Sequence, residues 1–261
     1  MGRTTSIAWT DSTFNFVMGC TKVSPGCKKC YMYRYLRFTG RDPYALYFTK
    51  QGQPAGLLDR LDRLGERIFV NPFSDTFHKD IPDAEIERWL DAFAHLPNHQ
   101  FQILTKRAER MAKFFETHSC PENVWLGVSV ENQDYLWRID YLRRISCNIR
   151  FVSFEPLLGE ITEPNLKDIH WIIIGGESDY KNPRPMNPEW AQRLIHYAKS
   201  NYPGCAVFFK QMGGMGGDGA GGGVLNGMMY NDLPVWHRRQ TRMKEFAEPL
   251  VISHIAGGGR E

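Results

Sequence analysis

The chain has 261 residues, of which 42% are hydrophobic, 13% aromatic and 23% charged, and its formal net charge at pH 7 is +3. This composition is too apolar for a disordered chain and is typical of a folded protein with one main core. The weak positive charge does not by itself indicate a nucleic-acid-binding protein. The sequence shows neither an apolar run of about eighteen residues nor the apolar centre of a secretory signal, so we expect a cytoplasmic protein without membrane insertion.

The N-terminal segment carries a loop with three closely spaced cysteines, Cys20, Cys27 and Cys30. Residues Ile7–Trp9 precede this loop and are predicted to form the first strand, whereas Tyr31–Arg37 follow it and indicate the start of a helix. A disulfide framework is not expected, because reducing conditions oppose it and a chain of this size can form a stable core without covalent cross-links.

Short apolar runs rich in β-branched and aromatic residues recur through the rest of the chain and predict strands. These runs are Ile68–Val70, Phe101–Leu104, Val124–Val128, Ile149–Val152, Trp171–Ile174 and Ala206–Phe209. Stretches with helical periodicity separate most of them, namely Asp83–His95, Arg107–Phe115, Tyr135–Ile145 and Pro188–Tyr202. The alternation predicts an α/β fold in which βα units surround a parallel sheet, as in an incomplete (β/α) barrel.

A polar or glycine-rich cluster follows each predicted strand, and the clusters begin at Asn71, Thr105, Ser129, Ser153, Gly175 and Lys210. The carboxyl ends of parallel strands share one face of a sheet, so we expect all these clusters on one rim. Any single cluster is also explained as a strand-to-helix loop with a helix cap. The whole series favours a site assembled from many loops.

The C-terminal part of the chain is low in complexity. The stretch Gly213–Gly223 is glycine-rich and predicts a mobile loop or a plain linker, and Gly257–Glu261 predicts a frayed end. We therefore divide the chain into a barrel at residues 1–212, with the cysteine loop at 19–31, and a glycine-rich loop with a tail at 213–261.

The spacing of the three cysteines indicates a metal or cluster site. Six residues separate Cys20 from Cys27 and two separate Cys27 from Cys30, so that a turn at Pro25-Gly26 allows the three sulfurs to converge. Structural zinc sites close with four protein ligands, and a zinc site here needs His78 or another distant residue. The third alternative is that the cysteines bind nothing.

A [4Fe-4S] cluster held by three cysteines leaves one iron open, and S-adenosylmethionine (SAM) binds such an iron through its amino and carboxylate groups. One-electron reduction of the sulfonium then yields a carbon radical. The residues at the strand ends predicted to contact this cofactor are Ser129, Glu131, Glu155, Gly175, Gly176, Glu177 and Ser178. Those predicted to be catalytic are Lys106, Asp75 and Glu155, and for each of these residues the alternative is a cap, a turn or a solvated helix start.

Several blocks of this sequence resemble a phage-associated, radical-SAM-like family with a three-cysteine motif, long classed as a domain of unknown function. The blocks are Ile7–Asp11, Gly19–Tyr31, Leu104–Arg107, Asn123–Asn132, Phe154–Gly159, Gly175–Ser178 and Phe209–Gln211. The resemblance implies a partial βα barrel of the radical-SAM type with a cluster at the three cysteines. The wider superfamily usually spaces its cysteines three and two apart, with an aromatic residue where this chain has Lys29. Its Gly-Gly-Glu segment usually follows the second strand, whereas Gly175–Glu177 follows a late one.

These observations predict a radical SAM enzyme that modifies a nucleobase in a nucleic acid or a nucleotide. Such an enzyme needs a flavodoxin-like or ferredoxin-like protein as reductant. Two rival hypotheses remain open. One is a zinc-stabilised nucleic-acid-binding protein without redox chemistry, and the other is a cluster-bearing subunit that acts only with a partner protein.

Overall fold

The computed structural model describes residues 5–178, 182–214 and 223–236. In chain order its strands and α-helices are β1 Ser12–Phe14, β2 Val17–Met18, α1 Tyr31–Phe38, β3 Tyr47–Phe48, α2 Leu57–Asp62, β4 Arg67–Val70, α3 Asp83–Ala94, β5 Gln100–Thr105, α4 Ala108–Phe115, β6 Val124–Ser129, α5 Trp137–Arg143, β7 Ile149–Phe154, β8 Trp171–Gly175, α6 Pro188–Asn201, β9 Ala206–Gln211, β10 Val224–Leu225 and β11 Met228–Met229.

Seven of the strands form one sheet in the order β1-β4-β5-β6-β7-β8-β9, and every neighbouring pair in it is parallel. Within the described ranges, β1 and β9 do not pair with each other, so the sheet is open. The predicted α/β class and incomplete (β/α) barrel are confirmed. The six predicted strands and the helices that separate them are all present, with ends displaced by a few residues.

The two faces of the sheet carry different side chains because alternate residues of a strand point to opposite faces. The outer face packs against the helices in the main core, through residues such as Val70, Ile103, Val128, Val152, Ile174 and Phe209. The inner face carries a separate cluster that includes Phe69, Trp125, Phe151, Trp171 and Phe208. Parallel strands covered on both faces explain the nearly continuous apolar runs in the sequence.

The helices of the outer layer follow from local sequence. In α3 the residues Ile86, Leu90 and Phe93 recur at helical spacing and are buried against the sheet, while acidic residues occupy the first turn. Helix α6 begins where the side chain of Asn187 accepts a hydrogen bond from the backbone N–H of Glu189, at 3.0 Å. These helices leave the carboxyl ends of the strands open.

The segment Ile7–Trp9 is not a strand, and this prediction was wrong. It forms a turn, in which the Thr10 N–H donates to the Ile7 carbonyl at 3.3 Å, and the first strand begins at Ser12. Its apolar character has another cause, because Trp9 is 2% exposed and packs on the inner face of the sheet.

The position of Trp9 also shows that the sheet is curled. Its ring centroid lies 4.7 Å from that of Phe69 on β4 and 6.0 Å from that of Trp171 on β8. In a flat sheet these two strands would lie about 19 Å apart, four strand spacings of about 4.8 Å. One indole can touch both strands only if the sheet wraps around it, as in a partial barrel.

Small elements that the sequence patterns did not predict are α2, the antiparallel pair β2/β3 and the hairpin β10/β11. The hairpin turns at Asn226-Gly227, which both have positive φ angles, and an Asn-Gly pair is a recognised hairpin signal. Most of the predicted loop Gly213–Gly223, and all of Gly257–Glu261, lie outside the described residues. Among the helices that are described, none has the length and hydrophobicity needed to cross a bilayer.

We expect Gly127 in β6 to be required for the inner packing. A Cβ at this position would lie 2.5 Å from Cε2 of Phe151, its partner on β7, so that the Phe151 ring must move. Gly127→Ala should lower the free energy of unfolding by about 1–3 kcal/mol in urea denaturation, because the core becomes overpacked. The matched control is Gly204→Ala, since no atom lies within 4 Å of a Cβ added there; equal losses in both variants would contradict the packing argument.

Candidate active site

A cavity of about 890 Å³ opens at the carboxyl ends of the parallel strands. Its walls include all three cysteines of the N-terminal loop, and its floor includes Trp9, Phe69 and Leu104 from the inner face of the barrel. Above this apolar layer lie Ser129 and Ser153, which are register partners on β6 and β7. The strand-end clusters therefore share one rim, as predicted from their positions after parallel strands.

The cysteine loop is held on several sides by polar contacts. Arg107, which immediately precedes α4, donates to the Thr21 carbonyl at 2.9 Å, and the Tyr33 hydroxyl donates to the Cys20 carbonyl at 2.9 Å. Arg184 donates to the Pro25 carbonyl at 3.1 Å. These contacts fix the loop from separate parts of the fold, so the positions of its cysteines depend on the tertiary structure.

A buried ion pair lies directly behind the loop. The carboxylate of Glu131 is fully buried and accepts from Arg138, which is 1% exposed, at 2.8 Å. The other carboxylate oxygen accepts from the Ser24 hydroxyl at 2.5 Å and lies 3.5 Å from Nζ of Lys106. A Cβ on Gly26 would lie 2.6 Å from the same oxygen. The cysteine loop therefore packs directly against this ion pair. Only a glycine at position 26 allows so close an approach.

A second ion pair faces the first cysteine. Arg107 Nη1 donates to Asp75 at 2.8 Å and lies 3.5 Å from Sγ of Cys20. Asp75 also accepts from the Thr105 hydroxyl at 2.6 Å and from the Lys106 N–H at 3.1 Å. Asp75 thus has its oxygens occupied by protein donors, and it holds the Arg107 guanidinium beside the Cys20 sulfur.

Burial disfavours the thiolate forms of Cys20 and Cys30 in the free protein. Burial, followed by the negative charge of Asp75, raises the pKa of Cys20 to about 12, against the opposing effect of Arg107. Burial also raises the pKa of Cys30. Thiolates are the form that binds metal, so ligation at this loop must release protons to solvent.

Two further carboxylates lie on the rim with their own partners. Glu155 accepts from the Ser153 hydroxyl at 3.1 Å and lies 3.5 Å from Nζ of Lys210. Glu177 accepts from the backbone N–H of Arg184 at 2.9 Å and pairs with its guanidinium. Although burial raises the pKa of Glu177, the hydrogen bonds from Arg184 outweigh it and hold the pKa below its ordinary value.

Most of the predicted site residues line the cavity: Asp75, Lys106, Ser129, Glu155, Gly176, Glu177, Ser178 and the three cysteines. Glu131 and Gly175 do not, and lie behind its wall. A Cβ on Gly175 would lie 2.5 Å from Oε1 of Glu155, and one on Gly176 would meet the Met212 carbonyl. Glycine at these two positions is thus explained by close packing of the protein against itself.

The contacts that position the loop were not predicted from the sequence. The sequence patterns do not identify Arg107, Arg138 or Arg184 as residues that position this loop. The position of Arg138 offered one signal, because it adjoins Ile139 on the buried side of α5 and a buried arginine needs a carboxylate partner. No local signal points to Arg184, which is remote from the loop in the sequence.

Within the part of the chain that the structure describes, the geometry offers no ready-made site for zinc, which is the alternative to a cluster at the three cysteines. Among the described residues, no group of three or more His, Cys, Asp or Glu side chains is placed to hold one metal ion. His78 already uses both ring nitrogens, since Nδ1 accepts from the Asp80 N–H at 3.2 Å and Nε2 lies 2.8 Å from the Thr21 hydroxyl. Ligands of a four-iron cluster bind different irons and stand farther apart than the ligands of one zinc.

Comparisons with known proteins give a family and one similar structure. Residues 4–234 match the profile of a family described as "Protein of unknown function (DUF5131)". The search of curated protein sequences finds no match to this chain. A solved structure described as "Spore photoproduct lyase complexed with dinucleoside spore photoproduct" is similar with a TM-score of 0.44 and 11% identity, covering 74% of this chain and 75% of that one. The expected likeness to a domain of unknown function is confirmed.

We expect the buried Glu131–Arg138 pair to be required for stability. Glu131→Gln keeps the shape but leaves the Arg138 charge buried without its carboxylate, so the free energy of unfolding should fall by about 3 kcal/mol in chemical denaturation. Glu160→Gln is the matched control, because the Glu160–Arg193 pair is exposed and its loss should cost less than about 1 kcal/mol. Similar losses in the two variants would show that the buried pair has no special importance.

Proposed function

Since this chain belongs to the DUF5131 family, whose function is unknown, we propose an activity from the site itself: a radical SAM enzyme with a [4Fe-4S] cluster at Cys20, Cys27 and Cys30. The observation that carries the proposal is the position of these three cysteines, on one braced loop at the mouth of an open parallel barrel. Three thiolates suit a cluster with one iron left for a second ligand.

The residues around the cavity fit such a cofactor in two respects. The space of about 890 Å³ lies directly between the cysteines and the strand ends, so a small molecule bound there would touch both. Trp9 lines the cavity, and its buried indole N–H has no hydrogen-bond partner within the described structure. A buried donor without a partner favours an additional polar group nearby.

When bound, the reduced cluster supplies one electron for the cleavage of SAM, which generates a carbon radical able to abstract hydrogen. The protein's own part is to hold the sulfurs and balance their charge. Arg107 donates toward Cys20, and Lys106 places a second cation on the cavity wall. Such hydrogen bonds and charges near the sulfurs raise the reduction potential of a cluster.

We propose two different roles for the predicted cofactor residues, according to whether each residue lines the cavity or is paired with an arginine. Glu155, Ser129 and Ser178 line the cavity and are proposed to contact SAM, with Glu155 suited to an ammonium or ribose hydroxyl. Glu131 and Glu177 are satisfied by Arg138 and Arg184 and are proposed to position the cysteine loop. Gly175 and Gly176 permit the packing that places Glu155 and Glu177.

The proposed reaction also needs an electron donor and a substrate. A flavodoxin-like or ferredoxin-like protein would supply the electron, and the reducing cytoplasm would keep the cysteines free for ligation. The substrate is proposed to be a nucleobase, in a nucleotide or a nucleic acid. The second candidate is a subunit with the same cluster that becomes active only when a partner protein completes the site.

Anaerobic reconstitution of the full chain tests the proposal. We expect a brown protein with about four irons and four sulfides per chain, which cleaves SAM after reduction with dithionite. Replacing any of the three cysteines with serine should abolish cluster binding and SAM cleavage. Cys120→Ser is the matched control and should leave both unchanged, because Cys120 does not line the cavity.

The other outcomes separate the rivals. A colourless protein with one zinc per chain would refute the radical mechanism. A brown protein that cleaves SAM only after a partner protein is added would replace the independent enzyme with the subunit hypothesis. Loss of iron in Cys120→Ser would mean that the three cysteines of the loop are not the only ligands.

A further inference from the structure

The positive charge of the chain is concentrated around the cysteine loop. Residues 19–50 contain seven Lys and Arg and one Asp, which leaves 25 basic and 28 acidic residues for the rest of the sequence. The overall charge of +3 is therefore the sum of a strongly basic segment, residues 19–50, and a weakly acidic remainder of the sequence. Charge clustered on one part of a protein attracts polyanions even where the net charge is small.

The same segment exposes aromatic side chains. Tyr31, Tyr35, Phe38, Tyr44 and Phe48 are all at least 45% exposed, whereas the described ranges outside this segment show one other exposed aromatic residue, Trp137, at 42%. Exposed aromatic side chains cost free energy in water, so their accumulation at one place indicates a surface that contacts a ligand.

Helix α1 organises these residues into one stripe. Its positions Tyr31, Arg34, Tyr35 and Phe38 recur at helical spacing and are exposed, while the opposite face packs against the protein. Phe73 extends the stripe, because its ring lies 5.3 Å from Tyr31 and 4.8 Å from Tyr35.

The stripe is continuous with the cavity. The exposed residues Tyr31, Arg34 and Arg37 and the half-buried Phe73 also line the cavity, beside Cys30. A molecule that lies along α1 would thus reach the mouth of the site described above.

We propose that the face of α1 formed by Tyr31, Arg34, Tyr35, Arg37 and Phe38, with Phe73, binds a single-stranded nucleic acid and presents one of its bases to the cavity. The second part of this inference rests on the proposed function, whereas the binding of the strand does not. Arginines interleaved with exposed aromatic rings neutralise phosphates and stack on bases. A duplex keeps its bases stacked on each other and offers the rings no free faces.

Other polyanions would use only part of this surface. An acidic peptide or a heparin-like polymer would pair with the arginines but has no flat rings to stack on tyrosine and phenylalanine. An anionic membrane would favour a broader apolar face than one eight-residue helix supplies. The combination of charges and rings therefore favours unpaired bases.

Fluorescence anisotropy with a labelled mixed-sequence 12-nucleotide strand, as DNA and as RNA, tests the proposal on the full chain. We expect Phe38→Ala and Tyr35→Ala each to weaken binding about fivefold or more. Phe38 is 90% exposed, so its replacement leaves the fold intact. The double variant Arg34→Gln, Arg37→Gln should reduce the slope of log K against log salt by about 1.4, or about 0.7 for each lost phosphate contact.

The controls are Trp137→Ala and Arg144→Gln on the α5 side, which are also exposed and should bind within about twofold of the wild type. The proposal is overturned if the aromatic variants bind like wild type, if a duplex binds as tightly as the single strand, or if heparin or anionic vesicles bind while the strand does not. Preference for DNA or RNA identifies which strand is bound.

Binding is measured on protein with and without reconstituted iron, so that the two proposals can fail separately. Strand binding without SAM cleavage would refute the proposed enzyme and keep this surface. SAM cleavage without strand binding would refute the nucleic-acid-binding surface and keep the proposed enzyme.

Discussion

A single buried carboxylate connects the parts of this site. Glu131 follows β6, pairs with Arg138 of α5, and accepts the Ser24 hydroxyl of the cysteine loop. A carboxylate without water around it is tolerated only when hydrogen-bond donors surround it. The hydrogen bonds to Glu131 therefore hold α5 and the cysteine loop close to the end of β6. The cysteines therefore sit on a loop whose height above the sheet is set by an ion pair.

The cavity also depends on the curl of the sheet. Trp9 fills the inner face and contacts strands at both sides of the barrel, which leaves an apolar floor beneath the carboxyl ends of the strands. Serines, carboxylates and lysines then follow at the next inward positions. A cavity with an apolar floor and a charged rim arises because parallel strands bring all their carboxyl ends to one face.

Charge is distributed unevenly around this cavity. The rim carboxylates Glu155 and Glu177 are matched by Lys210 and Arg184, whereas residues 19–50, which include the loop and α1, contain seven basic residues and one acidic residue. Thiolates of a bound cluster would be negative, and the guanidinium of Arg107 is already aimed at the first of the sulfurs. The basic surface beyond the loop then faces solvent, where an extended anionic ligand could lie.

The sequence by itself determined the class of fold and pointed to the cysteine loop as the candidate site. Six apolar runs alternating with amphipathic stretches required a parallel sheet, and three cysteines in eleven residues marked the loop, because these signals are local and periodic. It misplaced the first strand, since a buried Trp9 produces the same apolar pattern as a strand. The tertiary structure alone decided that Arg107 faces Cys20, that Glu131 lies behind the loop, and that Arg184 reaches Pro25. These pairs are distant in sequence and meet only after the sheet has curled, so no local pattern could have predicted them.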